Sequence, residues 1–393
     1  MKDKQLNEEF LYEFNKILMR SLVPHFSNQI IRPCIEEDFQ DFKNIITDNL
    51  HRIVLLLDFI IQNEVQYSKR TTEYLIKVIV IIGEQHKKSA WNTYKIIELS
   101  ELLIFRICKI FKSKNITEIL KNNEIFIMII KFLRPKLLKD TWKCFPAAVN
   151  CYKWLLELSE KPLLKSYIQD IVPTALIIVD DYVQENQMLA LKCISIIIEH
   201  CQKSKILKNF NYDEVIFQAL KKISYKVESI MMTSLYSCIS SLISNIDCYE
   251  KKSTIFNWTK WDEILTILFD NMELQTNHQY QYAYITCLSK FLTYINLGKW
   301  SNRLIQILSE YCENNIDLII INGTLECIKT FLLIYQPQGE NFYIVMYSLL
   351  LKLRYKCALF QTNSKEIIIK VDQCILLISK LCPNLNKEII NSG

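Results

Sequence analysis

The chain has 393 residues, half of them hydrophobic, with only 5 glycines and 8 prolines. Its 47 basic and 42 acidic residues leave a formal net charge of +5. That is too small, and too scattered over short clusters such as Lys87-Lys88, Lys221-Lys222 and Lys251-Lys252, for the basic stripe of a nucleic-acid binder. Average usage of about 7% would give several times more glycine, and the Gly-bearing signals of tight hairpins are missing where a hairpin could form. The composition therefore argues against sheet and predicts helices joined by short polar corners.

The opening stretch MKDKQLNEEFLYEF is charged and amphipathic and has no uninterrupted apolar core of a signal peptide. From Phe10 the apolar residues Leu11, Phe14, Ile17, Leu18 and Leu22 fall on one helical stripe. Pro24 and Pro33 then bound a loop. Helical patterns follow in EYLIKVIVIIGEQ, IIELSELLIFRICKIF, IFIMIIKFL, FPAAVNCYKWLLELS, LLKSYIQDIVPTALIIV and QMLALKCISIIIEHC. The second half continues with DEVIFQALKKIS, IMMTSLYSCISSLIS, DEILTILFDNM, YAYITCLSKFLTYI, RLIQILSEYC, GTLECIKTFLLIY, FYIVMYSLLLKLRYKC and IIIKVDQCILLISKLC. About seventeen helices, or roughly eight pairs of ~40–47 residues, are expected. Cys193 to Ile198 is apolar nearly all round, which suits a helix with neighbours on both sides. The most polar seams run from Ser113 to Asn123 and from Cys248 to Thr254. The fold predicted is all-α, a single elongated α-solenoid of HEAT/armadillo-like helix pairs. No apolar run approaches the ~20 residues of a membrane span, the longest being Ile125 to Ile130. The 14 cysteines read as reduced, mostly buried hydrophobes. A soluble intracellular protein is expected.

Chemical motifs are sparse. The glycines are isolated, so a phosphate-cradling loop is excluded. Neither C-x-x-C nor H-E-x-x-H occurs. Cys193 and Cys201, like Cys374 and Cys382, are eight apart, too far along a helix axis to share a metal without further ligands. His200 and Cys201 are adjacent and diverge by about 100° on a helix, so they cannot act as a pair. No cofactor, metal or catalytic residue is predicted, and calorimetry with ATP, Mg²⁺ and Zn²⁺ should show no specific binding.

The aromatics are more informative. Trp258 and Trp261 flank a helix start in NWTKWDEIL, where Thr259 can be the N-cap and Asp262 sits three residues on in the first turn. Trp300 and Arg303 lie in LGKWSNRL, after Gly298, which reads as the C′ glycine of the preceding helix. Tryptophans so placed either seal joints between repeats or anchor a partner; Trp258, Trp261, Trp300 and Arg303 are the candidate partner-binding residues. The acidic pair Asp180-Asp181 lies at a helix boundary. Asp181 is three residues before Gln184, a D-x-x-Q form of the capping box, and is expected to cap the helix beginning near Val183.

The stretch PTALIIVDDY resembles the proline, apolar run and Asp-Asp-Tyr of the Tel-two-interacting protein two family. In order after it, KWDEILTILFDNME, LSKFLTYINLGKWSNRLIQILSEYCE, TLECIKTFLLIYQP and DQCILLISKLC resemble successive helices of the same family, over roughly Leu133 to Cys382. The chain departs from that family at Val183, Gln184 and Ala190, where Glu-Pro and a glycine are usual, and at Tyr335-Gln336, where a tryptophan is usual. Residues 1–130 form N-terminal helical repeats without a clear match; residues 131–393 carry the family-like order. The resemblance implies a non-enzymatic scaffold subunit of the TTT complex, in the cytoplasm and nucleus. It would bind the first Tel-two-interacting protein and the Tel-two protein. Through them it would work with the heat-shock-protein-ninety chaperone system on phosphatidylinositol-three-kinase-related kinases, in growth signalling and the DNA-damage response. No nucleic acid or membrane is implied. A transport or scaffold protein of the importin/armadillo class is the competing reading.

Overall fold

The computed structural model describes residues 8–63, 69–248, 258–294, 297–314, 317–335, 340–359 and 365–383, and contains no strand among them. The chain divides into two compact units, Met1–Ile216 and Phe217–Gly393. The boundary near residue 130 drawn from sequence marks where family-like order begins, whereas the compact units part at Ile216.

The first unit holds α1 (Glu8–Ser21), α2 (Gln40–Gln62), α3 (Lys69–Gln85), α4 (Tyr94–Ile110), the short α5 (Ile116–Leu120), α6 (Asn123–Leu133), α7 (Pro146–Leu158), α8 (Lys161–Ser166), α9 (Ile168–Val179), α10 (Gln184–His200) and α11 (Ile206–Asn209). Helices α1, α3, α7 and α10 pack in series, with α2 and α4 against one another on a second layer. On α1, Leu11, Phe14 and Leu18 of the predicted stripe are buried. α2 was not among the stretches picked out by pattern, yet it is 23 residues long. It buries Phe42, Ile46, Leu50, Ile53, Leu57 and Ile60 at spacings of three and four, while Leu55 points out at 68% exposure and blurs the pattern. Each fully buried aliphatic side chain contributes roughly 1.5–3 kcal/mol. The polar seam after Ser113 contains α5, capped by Asn115, whose side chain accepts from the Glu118 amide.

α12 (Tyr212–Ser224) crosses into the second unit, which continues with α13 (Ser229–Asp247), α14 (Lys260–Leu274), α15 (His278–Phe291), α16 (Leu297–Asn314), α17 (Leu318–Ile334), α18 (Glu340–Leu359) and α19 (Lys365–Leu381). Here the alternation is regular. Odd-numbered α13, α15, α17 and α19 pack in series, and so do α14, α16 and α18. The pairs α14–α15, α16–α17 and α18–α19 pack across the two layers. That is the arrangement of HEAT-type helix pairs. α13 is long and apolar enough by composition to cross a membrane, and 56% of its apolar window is buried inside the protein.

Two glycines sit inside helices at close approaches. A Cβ on Gly83 of α3 would lie 2.5 Å from Cys151 Sγ and 2.7 Å from Trp154 Cε3 of α7. On Gly323 of α17 it would lie 2.9 Å from Ile285 Cγ2 of α15. Gly298 is no C′ residue: it lies in the first turn of α16. The chain therefore re-enters helix one residue before it, where a corner was expected. Gln336, Pro337, Lys251-Lys252 and the seam from 249 to 254 lie outside the described residues.

The Asp180-Asp181 corner also departs from expectation. α9 ends at Val179 and α10 begins at Gln184, as the pattern predicted, but the N-cap is Val183, with no side-chain cap bond. The Asp181 carboxylate is fully buried and lies 2.6 Å from Lys143 Nζ. Asn186 Nδ2 donates to it at 2.7 Å, and Gln187 Nε2 donates to the Asp181 carbonyl at 2.6 Å. Lys143 stands in a 3-10 turn, Trp142–Cys144, and its ammonium also lies over the Tyr182 ring at 4.6 Å. A lysine 38 residues away in sequence has claimed the carboxylate. The first unit buries a second acid, Glu84, near the end of α3. It accepts from the Val23 amide at 2.9 Å, and Lys136 Nζ is 3.7 Å away. Burial pushes its pKa up to about 7 against the pull of Lys136 and the amide.

Candidate partner-binding edge of the second unit

The candidate residues gather around the start of α14. Thr259 is the N-cap in extended conformation (φ −109°, ψ 168°). Its hydroxyl accepts from the Asp262 amide at 3.2 Å, and Asp262 Oδ2 accepts from the Thr259 amide at 2.8 Å. The N-cap expected at Thr259 is present, and Asp262 closes it into a capping box. Asp262 does more than cap. Its Oδ1 accepts from Trp300 Nε1 at 2.8 Å and its Oδ2 lies 2.9 Å from Lys299 Nζ, both on α16. Burial alone would raise its pKa, but the hydrogen bonds from Lys299, Trp300 and Thr259 outweigh that and hold it below the usual carboxylate value.

The four candidate residues part company at this point. Trp261, just inside the helix, turns inward at 6% exposure. Its Nε1 donates to Asp247 Oδ2 at 3.0 Å, and its ring stacks on Tyr294 and meets Phe291 edge-on. Trp300 is buried too, at 9%, against Phe269. Both seal joints between helices. Trp258, one residue ahead of the cap, is 62% exposed. Its ring leans on Trp300 at 5.8 Å, with Lys299 Nζ 6.0 Å above it. Arg303, one turn on from Lys299, lies over Phe269 at 5.7 Å. Its Nε and Nη2 donate to Glu273 at 2.8 Å, and Nη2 donates to Asp270 at 2.6 Å. The structure thus joins Trp258, Trp300 and Arg303 in one aromatic–cationic edge along α14 and α16 and sends Trp261 to the other side of α14. Of the three, Trp258 is the exposed one; Arg303 is a clamp between the two helices.

Trp258 presents a rigid apolar surface beside the Lys299 ammonium. Burial pushes the Cys201 thiol up to about 11 and that of Cys238 up to about 12, which makes these two poor nucleophiles. Eleven of the 14 cysteines are buried, Cys34 and Cys144 are half-buried, Cys248 is exposed, and none is bonded to another. Among the described residues no group of three His, Cys, Asp or Glu side chains is placed to hold a metal.

The two-layer stacks define the class: an α-solenoid of HEAT-type helix pairs. The structure of Kap121p bound to RanGTP superposes with a TM-score of 0.57 over 95% of this chain and 34% of that chain, at 13% identity. Kap95p, from a structure with RanGDP, gives 0.53 over 86% and 40%, at 14% identity. At such identities the likeness is one of fold. No protein-family model matches the chain. Among curated proteins, TELO2-interacting protein 2 of Mus musculus is 26% identical over 192 residues, covering 48% of this chain and 37% of that protein. The Homo sapiens protein of the same name is 24% identical over 267 residues, covering 63% and 52%. The resemblance seen in the sequence holds: this chain is a distant relative of TELO2-interacting protein 2, and the match spans between 37% and 52% of those proteins' length.

Proposed function

We propose that this chain is a non-enzymatic scaffold subunit of a TTT-type complex. In that role it binds the first Tel-two-interacting protein and the Tel-two protein in the cytoplasm and nucleus. With the heat-shock-protein-ninety system the complex supports the maturation and stability of phosphatidylinositol-three-kinase-related kinases. The observation that carries the reading is the relationship to TELO2-interacting protein 2 of mouse and human. A stacked-helix fold, with long surfaces and terminal faces for other chains, fits a scaffold. The exposed Trp258 beside Lys299 is the proposed anchor.

Affinity capture of the full-length chain followed by mass spectrometry tests the reading. Both sister proteins and kinases of this class should co-purify. Capture of a small GTPase without them would favour the transport class instead. Trp258→Ala should weaken capture at least about tenfold, as loss of a buried interface tryptophan does, while leaving helix content unchanged. Undiminished capture would remove Trp258 from the interface.

A further inference from the structure

The second unit carries another surface feature, independent of the aromatic edge. Between α13 and α15 runs an open groove of about 390 Å³. α13 lines it with Thr233, Ser237 and Ser241, one helical turn apart and so on a single stripe. α15 and the turn after it contribute Lys290 and Thr293, and Phe291 and Tyr294 form apolar walls. Tyr236 lines the floor. It is 2% exposed, its ring set edge-on to Phe291 at 5.6 Å. Its hydroxyl has no hydrogen-bond partner among the described residues.

That hydroxyl is itself closed to solvent beneath the groove floor, and leaving it unbonded costs roughly 1–3 kcal/mol. Burial raises the Tyr236 pKa well above its ordinary value, so the phenol stays protonated and can donate. Lys290 can only donate, and hydroxyls can turn to donate. No carboxylate lines the groove, and Lys290 has no ion-pair partner among the described residues. Among the described residues the acids beyond either end are engaged: Asp247 accepts from Trp261, and Glu228 accepts from the Tyr280 hydroxyl. Thr293 donates to the Lys290 carbonyl and Thr233 bonds to Cys287, so among the described residues the groove offers the Ser237 and Ser241 hydroxyls beside the unpaired Lys290 ammonium.

We propose that the α13–α15 groove binds a carboxylate side chain on an extended acidic segment of a partner protein, with Lys290 supplying the charge and Ser237 and Ser241 the hydrogen bonds. The eight-residue rise from Thr233 to Ser241, about 12 Å at ~1.5 Å per residue, matches three or four residues of extended chain at ~3.3 Å each. One ammonium balances one carboxylate; a phosphate, with about −1.5 to −2 charges at neutral pH, would be left in excess.

The test uses the full chain and fluorescence anisotropy with a labelled octapeptide of alternating Ser and Glu. Two variants of the probe replace Glu by Gln or by phosphoserine. The acidic peptide should bind, and the Gln peptide should bind at least about tenfold more weakly, as should the acidic peptide to Lys290→Gln. Lys290→Arg should keep most of the affinity. Ser237→Ala should cost severalfold in binding. Equal binding of the Glu and Gln peptides, indifference to Lys290→Gln, tighter binding of the phosphoserine peptide, or no binding at all would each overturn the proposal. None of these outcomes bears on whether the sister proteins are captured.

Discussion

Asp181 in the first unit and Asp262 in the second stand within a turn of a helix start, are nearly buried, and lie 2.6 and 2.9 Å from a lysine. Only Asp262 caps. It sits inside the first turn, three residues after an N-cap threonine that returns the bond. Asp181 sits two residues ahead of the N-cap, Val183, and its oxygens are taken by Lys143 and by the Asn186 amide. Two motifs that look alike on paper are sorted by where the chain turns and by which distant lysine arrives. Two buried acids, one in each unit, are shifted in opposite directions: Glu84 is held up near 7 and Asp262 is held down.

The largest expected effect breaks the comparison at Asp181. As half of a buried ion pair it should lose about 3–5 kcal/mol when either partner is removed, so Asp181→Asn should be nearly as damaging as Asp181→Ala. A cap would behave otherwise, because Asn caps well. The readout is hydrogen exchange in α10, since stacked repeats need not unfold in one step. An Asn variant close to wild type would restore the capping assignment.

Next in size is the response to pH. Glu84 binds its proton more tightly folded than unfolded, so the stability it contributes is fully present below about pH 4.5 and declines as pH rises towards about 7. The fall is about 3 kcal/mol at ~1.36 kcal/mol per pH unit. Exchange protection of α3 should therefore rise on mild acidification, and Glu84→Gln should flatten the response. Asp262 has the opposite sign. Its contribution persists above the ordinary Asp value of about 3.9 and is lost as pH falls through its lower folded value. α14 should thus be indifferent between pH 7 and 5; a parallel rise in both helices would erase the distinction.

The smallest effect sharpens the comparison at the cap itself. Thr259→Ala should cost about 0.5–2 kcal/mol, confined to the start of α14, and Thr259→Ser much less. Equal loss in the Ser variant would mean that the methyl group, not the hydroxyl, matters there.

Much of this was legible in the sequence, for identifiable reasons. Period-3.6 stripes such as Leu11, Phe14 and Leu18 lie on single faces and name their helices directly. The T-x-x-D cap at Thr259 is local, so three residues suffice to read it. α2 escaped because its outward Leu55 joins an unbroken apolar run. The D-x-x-Q at Asp181 misled because its competitor, Lys143, is close only in the folded chain. Trp258 and Trp261 look equivalent three residues apart, but the N-cap between them lets the chain change direction, so one ring faces solvent and the other the core. The α13 hydroxyls are spaced plainly enough as Thr233, Ser237 and Ser241. Their meaning depends on Lys290 from another helix, which a linear reading cannot place beside them.

The contacts at Gly83 and Gly323 have a consequence for how such a chain can vary. Solvent-facing helix positions accept most side chains at little cost, and in helix interiors alanine is ordinarily better than glycine by about 1 kcal/mol. At these two positions the preference is inverted, because neighbouring helices have closed into the room that a methyl group would need, at 2.5 Å from Cys151 and 2.9 Å from Ile285. Any side chain there is a wedge between successive repeats, and a displacement at one junction passes to every repeat stacked beyond it within the unit. The freedom to drift that a repetitive fold enjoys almost everywhere is therefore suspended at two backbone atoms, one in each unit.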